Sequence, residues 1–252
     1  MPAHSGPRGM LRAALLLGAF GALIAGGTAF ADPAHDMAAT KPAKTLRWLD
    51  PQAFAPERVL PEPPVIGSIE ERAEMDEVLA FAKIVAPERH AAAAADGEDE
   101  TPRAFNAVVG RDLTKLPATA HLLDEIEDEI EVVADVAKRH FHRARPYTVD
   151  PALAHCGSGS AGGKGGDRSY PSGHATFGWS MAWVLSDLIP ERRAAIFARA
   201  ADYGYSREIC AVHFASDVEA GHLLGVLAAK ALLADPRLAP DIAAARAELS
   251  KP

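Results

Sequence analysis

From Ala118 to about Arg143 the apolar residues Ile126, Ile130, Val133, Ala137 and Phe141 recur at helical spacing. A stripe of that length predicts one long helix that must bury a face against other helices. Asp124, Glu125, Glu127, Asp128, Glu129 and Glu131 mostly occupy its other faces and read as a solvated side. Arg145-Pro146 is expected to end it. A second helix is predicted from Ser68 to about Val85, opened by a capping box of Ser68 with Glu71 and carrying a buried stripe of Met75, Val78, Leu79 and Ala82. Further helices are expected over 172–188, 190–203, 207–233 and 236–249. No alternating strand pattern of any length occurs. Alanine is abundant and only 6% of residues are aromatic, which favours close-packed helices over a β-sandwich. The expectation is an all-α, single-domain helical bundle.

The ends and the soft stretches read differently. Residues 1–31 read as an export signal: Arg8 and Arg12, an apolar run from Ala13 to Ala25, then Ala29-Phe30-Ala31 before Asp32. The apolar run is short for a membrane span. Residues 32–67 are proline-rich and expected to be extended wrapping, leaving 68–252 as the folded domain. The stretch 91–102 (AAAAADGEDETP) reads as a loop or frayed helix end, and 157–166 as a glycine-rich loop. The formal charge is -8, and loss of Arg8 and Arg12 with no acid in 1–31 makes the mature value -10. Such a balance discourages a nucleic-acid-binding surface. Two cysteines, Cys156 and Cys210, sit 54 positions apart. In an exported chain they are either bridged, worth roughly 4 kcal/mol on a loop-entropy argument, or a pair of buried thiols.

Two formal motif matches carry no weight. Gly157 to Gly162 fits GxGxxG, but no strand precedes it, and Gly163-Lys164 is followed by Gly165 where a phosphate-binding loop needs Ser or Thr. Three other fragments carry chemistry. Lys138 and Arg145, seven apart, are expected on one helix face two turns apart, able to converge on an anion. Pro171-Ser172-Gly173-His174 opens an apolar helix, whose N-terminal N–H groups suit an anion. Ser206-Arg207-x5-His213-x3-Asp217 is expected to place His213 and Asp217 four apart on a helix, where a carboxylate can orient an imidazole, with Arg207 sharing the face. Singly, each has a plain alternative: a basic helix end complementing the dipole, an N-cap beside an incidental histidine, a surface His–Asp pair.

Together they read K-x6-RP, then PSGH after 24 intervening residues, then SR-x5-H-x3-D after 31 more. This order resembles the signature of the phosphatidic acid phosphatase type 2 and vanadium haloperoxidase superfamily, with every motif position filled. Trp48-Leu49-Asp50-Pro51, Leu60 to Pro64, Gly67-Ser68, Tyr170 before PSGH, Gly178-Trp179, and Cys156 with Cys210 are similar to the class A bacterial nonspecific acid phosphatases. The similarity covers roughly 46–249; the 91–102 and 157–166 stretches depart from it.

The resemblance implies an all-α helical bundle and a secreted or periplasmic, metal-independent acid phosphatase of broad specificity, with phosphotransfer to alcohols as a possible second activity. It implies His213 as nucleophile forming a phosphohistidine, His174 as general acid and base, and Asp217 orienting His213. Lys138, Arg145, Ser172, Gly173 and Arg207 would bind phosphate, and Cys156 would bridge to Cys210. No cofactor or metal is implied. Partners would be small phosphate monoesters, with vanadate or phosphate as inhibitors, in a homo-oligomer without a membrane anchor. His140, His142, His155 and His222 fall outside the motif and read as surface or supporting residues. An unperturbed histidine titrates near pH 6.5, so a protonated His174 implies an optimum of about pH 5–6. The rival readings are a vanadate-dependent haloperoxidase, which usually has a longer chain, and a non-enzymatic phosphate-binding protein.

Overall fold

The computed structural model describes residues 44–157 and 165–251. The export signal, the start of the proline-rich segment and most of the glycine-rich loop lie outside these residues. Every regular element among them is helical, as the composition and spacing imply. In order they are α1 (Pro56–Val59), α2 (Ile69–Ile84), α3 (Pro87–Glu98), α4 (Asn106–Val109), α5 (Pro117–Phe141), α6 (Pro146–Val149), α7 (Gly173–Leu188), α8 (Arg193–Ile209), α9 (Ala215–Leu233) and α10 (Ala239–Leu249). No helix of the described residues is long and apolar enough to cross a membrane.

Helix α7 is the centre of the bundle. It is apolar nearly all round, and Ala175, Met181, Ala182, Val184 and Leu185 are fully enclosed by α5, α8 and α9. A helix with no polar stripe belongs inside a bundle. Its closest neighbour is α9, pressed in at Gly221 and Gly225. A Cβ on Gly221 would lie 2.6 Å from the Ser172 carbonyl oxygen, so only glycine permits the approach. The α5 stripe Ile126, Ile130, Val133 and Ala137 is buried as expected, with Phe141 packed at its edge.

Several boundaries differ from expectation for identifiable reasons. Ser68 caps α2 by accepting from the Glu71 amide at 3.1 Å, but the Glu71 carboxylate reaches back to the Gly67 amide and not to Ser68. The buried α2 residues are Val78 and Phe81, with Met75 and Leu79 partly covered and Ala82 exposed. Phe81 turns inward to meet Tyr205 edge-on at 5.2 Å. Residues 91–98, read as a loop or frayed helix end, are fully helical and complete α3, which packs on α8 and is tied to it by Asp96 through Arg199 and Ser206. Helix α5 stops at Phe141, where His142 turns left-handed (φ 48°), so Arg145 does not continue it. The expected break after Tyr203 is absent, since α8 runs to Ile209. The break falls instead at 210–214, where Ala211 has φ 54° and Cys210 is bridged to Cys156. Helix α10 starts at Ala239, three residues later than expected.

The acidic side of α5 is not simply solvated. Glu129 is completely buried and accepts from the backbone N–H groups of Arg47, Trp48 and Leu49 at 2.6, 3.2 and 2.9 Å. One carboxylate thereby ties the N-terminal segment to the bundle. Removing it strands three donors. Glu129→Ala is expected to lower stability by about 3–4 kcal/mol in urea unfolding, against less than about 1 kcal/mol for the exposed Asp128→Ala.

Candidate active site

Six of the eight residues singled out in the motifs line one cavity of about 530 Å³: Lys138, Arg145, Gly173, His174, Arg207 and His213. Lys138 comes from the last turn of α5. Arg145 is the residue just before α6, Gly173 and His174 open α7, Arg207 ends α8, and His213 lies in the break before α9. Neither Lys138 with Arg145 nor His213 with Asp217 shares a single helix face, as the spacing suggested. The ends of several helices and the break before α9 bring these side chains together.

Ser172 and Asp217 stand behind the cavity wall. Ser172 is fully buried; its hydroxyl oxygen accepts from the Ala175 amide and its own N–H donates to the Asp217 carbonyl. That N–H is therefore committed within the protein, and Gly173 is the motif residue that presents backbone to the cavity. Asp217 is likewise fully buried. Its Oδ2 accepts from the Phe214 amide at 2.8 Å and from Ser169 Oγ at 2.6 Å, capping α9. The same Oδ2 lies 3.5 Å from His213 Nδ1, and Ser169 Oγ lies 3.4 Å from that nitrogen. A carboxylate facing Nδ1 keeps the imidazole proton there and leaves the Nε2 lone pair on the cavity side. Nε2 sits 3.2 Å from Arg145 Nη1. Burial, then the charges of Arg145, Lys138 and Arg207, hold His213 well below the usual histidine range, which favours its neutral form.

Backbone carbonyls position two of the three cations. Lys138 Nζ donates to the carbonyls of Arg168 and Pro171, at 3.0 and 2.6 Å. Arg145 donates to those of Gly165, Val212 and Arg168. Arg207 differs: Nε and Nη1 are buried and have no hydrogen-bond partner among the described residues. Its guanidinium lies against Gly97, where a Cβ would come within 2.5 Å of Nη1. Burial and the proximity of like charges push Lys138 down to about 7 and lower Arg145 and Arg207. His174 is pushed down to about 3 by burial first and then by Arg207, although Nε2 faces the Gly97 carbonyl at 3.2 Å. The assumption of an unperturbed His174 is thus corrected: even with Glu100 Oε2 3.6 Å from Nδ1, burial and the neighbouring cations favour its neutral form above about pH 3.

Two supporting residues escaped sequence reasoning. Arg143, almost wholly buried, donates through Nη1 to Asp217 Oδ1 and Ser216 Oγ, both at 2.6 Å, and through Nη2 to Glu74 Oε2 at 2.7 Å. Glu74 also accepts from the Ser216 amide. Arg143 is two residues from a motif arginine in a run of basic residues, and nothing in that run marks it as the buried one. His140, His142, His155 and His222 take no place in the cavity; His155 stacks on Tyr147 and His222 on Trp179.

The sequence profile described as the PAP2 superfamily matches residues 130–239, the span that holds all eight motif residues. The chain is 38% identical over 141 residues to a protein named acid phosphatase from Zymomonas mobilis, covering 56% of this chain and 53% of that one. It is 30% identical over 238 residues to a non-specific acid phosphatase from Providencia stuartii, covering 92% and 95%. A non-specific acid phosphatase from Salmonella typhimurium is 32% identical over 151 residues, covering 59% and 60%. The matched stretch is thus little more than half of the Zymomonas and Salmonella proteins, and nearly all of the Providencia one.

Arg143 connects two carboxylates, and removing it leaves both buried charges uncompensated. Arg143→Ala is expected to cost about 3–5 kcal/mol in urea unfolding, whereas Arg139→Ala, which breaks an exposed pair with Asp135, costs less than about 1 kcal/mol.

Proposed function

The chain belongs to the PAP2 superfamily, among its acid phosphatases, and from that membership and the site geometry we propose that it hydrolyses phosphate monoesters through a phosphohistidine. The observation that carries this is Arg207: it lines the same cavity as Lys138, Arg145 and His213, and its buried Nε and Nη1 have no hydrogen-bond partner among the described residues. Buried donors of like charge call for an anion bearing several acceptor oxygens, and a phosphoryl group meets that need. Phosphoryl transfer asks chiefly for positioning and for charge stabilisation on the equatorial oxygens.

In the first step His213 Nε2 forms a bond to phosphorus while the P–O bond to the alcohol breaks, and His174 gives its proton to the departing oxygen. Asp217 balances the positive charge that develops on the His213 ring. In the second step water attacks phosphorus, its proton passes to His174, and the P–N bond breaks. Lys138, Arg145, Arg207 and the Gly173 backbone hold the oxygens throughout. An alcohol in place of water would make the same site a phosphotransferase. Residues 1–31 fit a cleaved export signal, and export suits an enzyme whose Cys156–Cys210 bridge must persist.

The pH dependence follows from the shifts. The productive complex carries one proton shared between His174 and the ester. In the free states His174 holds it only below about pH 3, and a phosphate ester only below its second pKa of about 6. kcat/KM is therefore maximal between these values, an acidic optimum set by the ester's proton and not by an ordinary histidine. Above pH 6 it should fall about tenfold per unit, and more steeply once Lys138, at about 7, loses its charge. p-Nitrophenyl phosphate assayed from pH 3 to 9 with EDTA present checks this; a flat profile from 5 to 9 contradicts it. His213→Ala should reduce kcat by at least about 10⁴-fold with unchanged circular dichroism. It should also abolish a +80 Da phosphoryl adduct (the mass of HPO₃) trapped on the wild-type protein by rapid quench at neutral or alkaline pH. Retained turnover would remove His213 as nucleophile.

A further inference from the structure

The cavity carries a second charge pattern that the phosphoryl chemistry does not use. Helix α5 lines it with Glu127, Glu131, Asp135 and Lys138, spaced four, four and three residues apart and therefore on one face. Glu100, in the turn after α3, lines the cavity from another wall. Depth separates the signs. Lys138, Arg207 and His213 are 8%, 6% and 2% exposed, while the side chains of Glu100, Asp135 and Glu131 are 47%, 49% and 60% exposed. The floor is cationic and the mouth acidic.

The mouth carboxylates are not equivalent. Lys44 pairs with Glu131, and Arg168 with Asp135. Glu127 makes no hydrogen bond or ion pair among the described residues, and Glu100 has only His174 within ion-pair distance, at 3.6 Å. Glu127 is pushed up to about 7 by partial burial, with Asp124, Glu100 and Glu131 adding like charge against the pull of Lys44. Burial also raises Glu100, against the pull of Lys138, Arg207 and Arg145, so like charge across this opening is relieved either by proton uptake or by a cation lying between the two groups.

Building on the phosphomonoesterase reading, we infer that Glu100 and Glu127 select the leaving group, favouring phosphate monoesters whose alcohol bears an ammonium group. Acidic residues alone would say nothing of a ligand. Here Arg207, which lines the same cavity and is 6% exposed, has buried Nε and Nη1 with no partner among the described residues, so the charge gradient matches a zwitterion with its phosphate inward and its cation outward. At about 530 Å³ the cavity has room for both ends. An ester whose alcohol carries a carboxylate would meet like charge at the same point.

The test compares O-phosphoethanolamine, ethyl phosphate and phosphoglycolate at pH 7.5, above the value of about 7 at which Glu127 ionises; their alcohols are similar in size and differ in charge, and p-nitrophenyl phosphate is the reference. The expected order of kcat/KM is ammonium, neutral, carboxylate, about tenfold per step and expressed mainly in KM. In the Glu100→Gln/Glu127→Gln double variant the total spread should shrink to less than about fivefold relative to the reference ester. A wild-type spread under threefold, or the full spread kept in the double variant, overturns the inference. Should the double variant not fold, the wild-type spread must narrow from 20 mM to 500 mM salt, and an unchanged spread overturns it equally. If p-nitrophenyl phosphate itself is not hydrolysed, the phosphatase reading falls. The three esters are then ranked by calorimetric Kd, where equal affinities overturn the inference and the same order supports it.

Discussion

The carboxylate of Asp217 joins four helices at one buried point. It caps the start of α9, accepts from Ser169 in the segment leading to α7, and receives Arg143 from just beyond α5; Arg143 in turn grips Glu74 of α2. The backbone carbonyl of the same residue accepts from Ser172, fixing the start of α7. A charge taken fully out of water is tolerated only when each lone pair is engaged, so these bonds leave little freedom in the relative placement of the helices. The orientation of His213 is a consequence of that placement.

Two kinds of buried arginine result, and the difference is functional. Arg143 is neutralised by two carboxylates and serves the fold. Lys138 and Arg145 are steadied by backbone carbonyls, which fix position without cancelling charge, and Arg207 leaves two buried donors unpaired. The cations depress one another and His174. In the proposed reaction an arriving phosphate would relieve all of them together, concentrating binding energy where the transferring group sits. The acidic mouth adds an opposite field further out, which the entering alcohol must pass.

Much of the bundle is readable from apolar spacing, because α5 and α7 are long enough for periodicity to outweigh local exceptions. The failures are specific. The run Ala91 to Ala95 gives no periodic signal, since alanine is equally at home on any face; its helix is selected by packing on α8 and by Asp96 bonding Arg199 and Ser206. Glu129 looks like its neighbours in the acidic face, yet it is the one opposite three backbone amides of a segment some eighty residues away. The break at 210–214 is imposed by Cys210 bridging to Cys156 and by the left-handed Ala211, neither of which hydrophobic spacing registers.

The order and spacing of K-x6-RP, PSGH and SR-x5-H-x3-D were sufficient, before any coordinates, to select six residues that share one cavity and two, Ser172 and Asp217, that brace it. Residue types at fixed intervals carry chemistry directly, so the side chains that gather at the cavity could be picked out from the chain, and the family resemblance supplied the Cys156–Cys210 pairing that the structure contains. How those residues meet could not. Convergence depends on helix ends and a broken turn rather than on common helix faces, and the protonation states depend on burial and on charges distant in sequence. Both are properties of three-dimensional proximity: the dielectric around His174 and the company kept by Glu100, Glu127 and Arg143 exist only once the helices have packed.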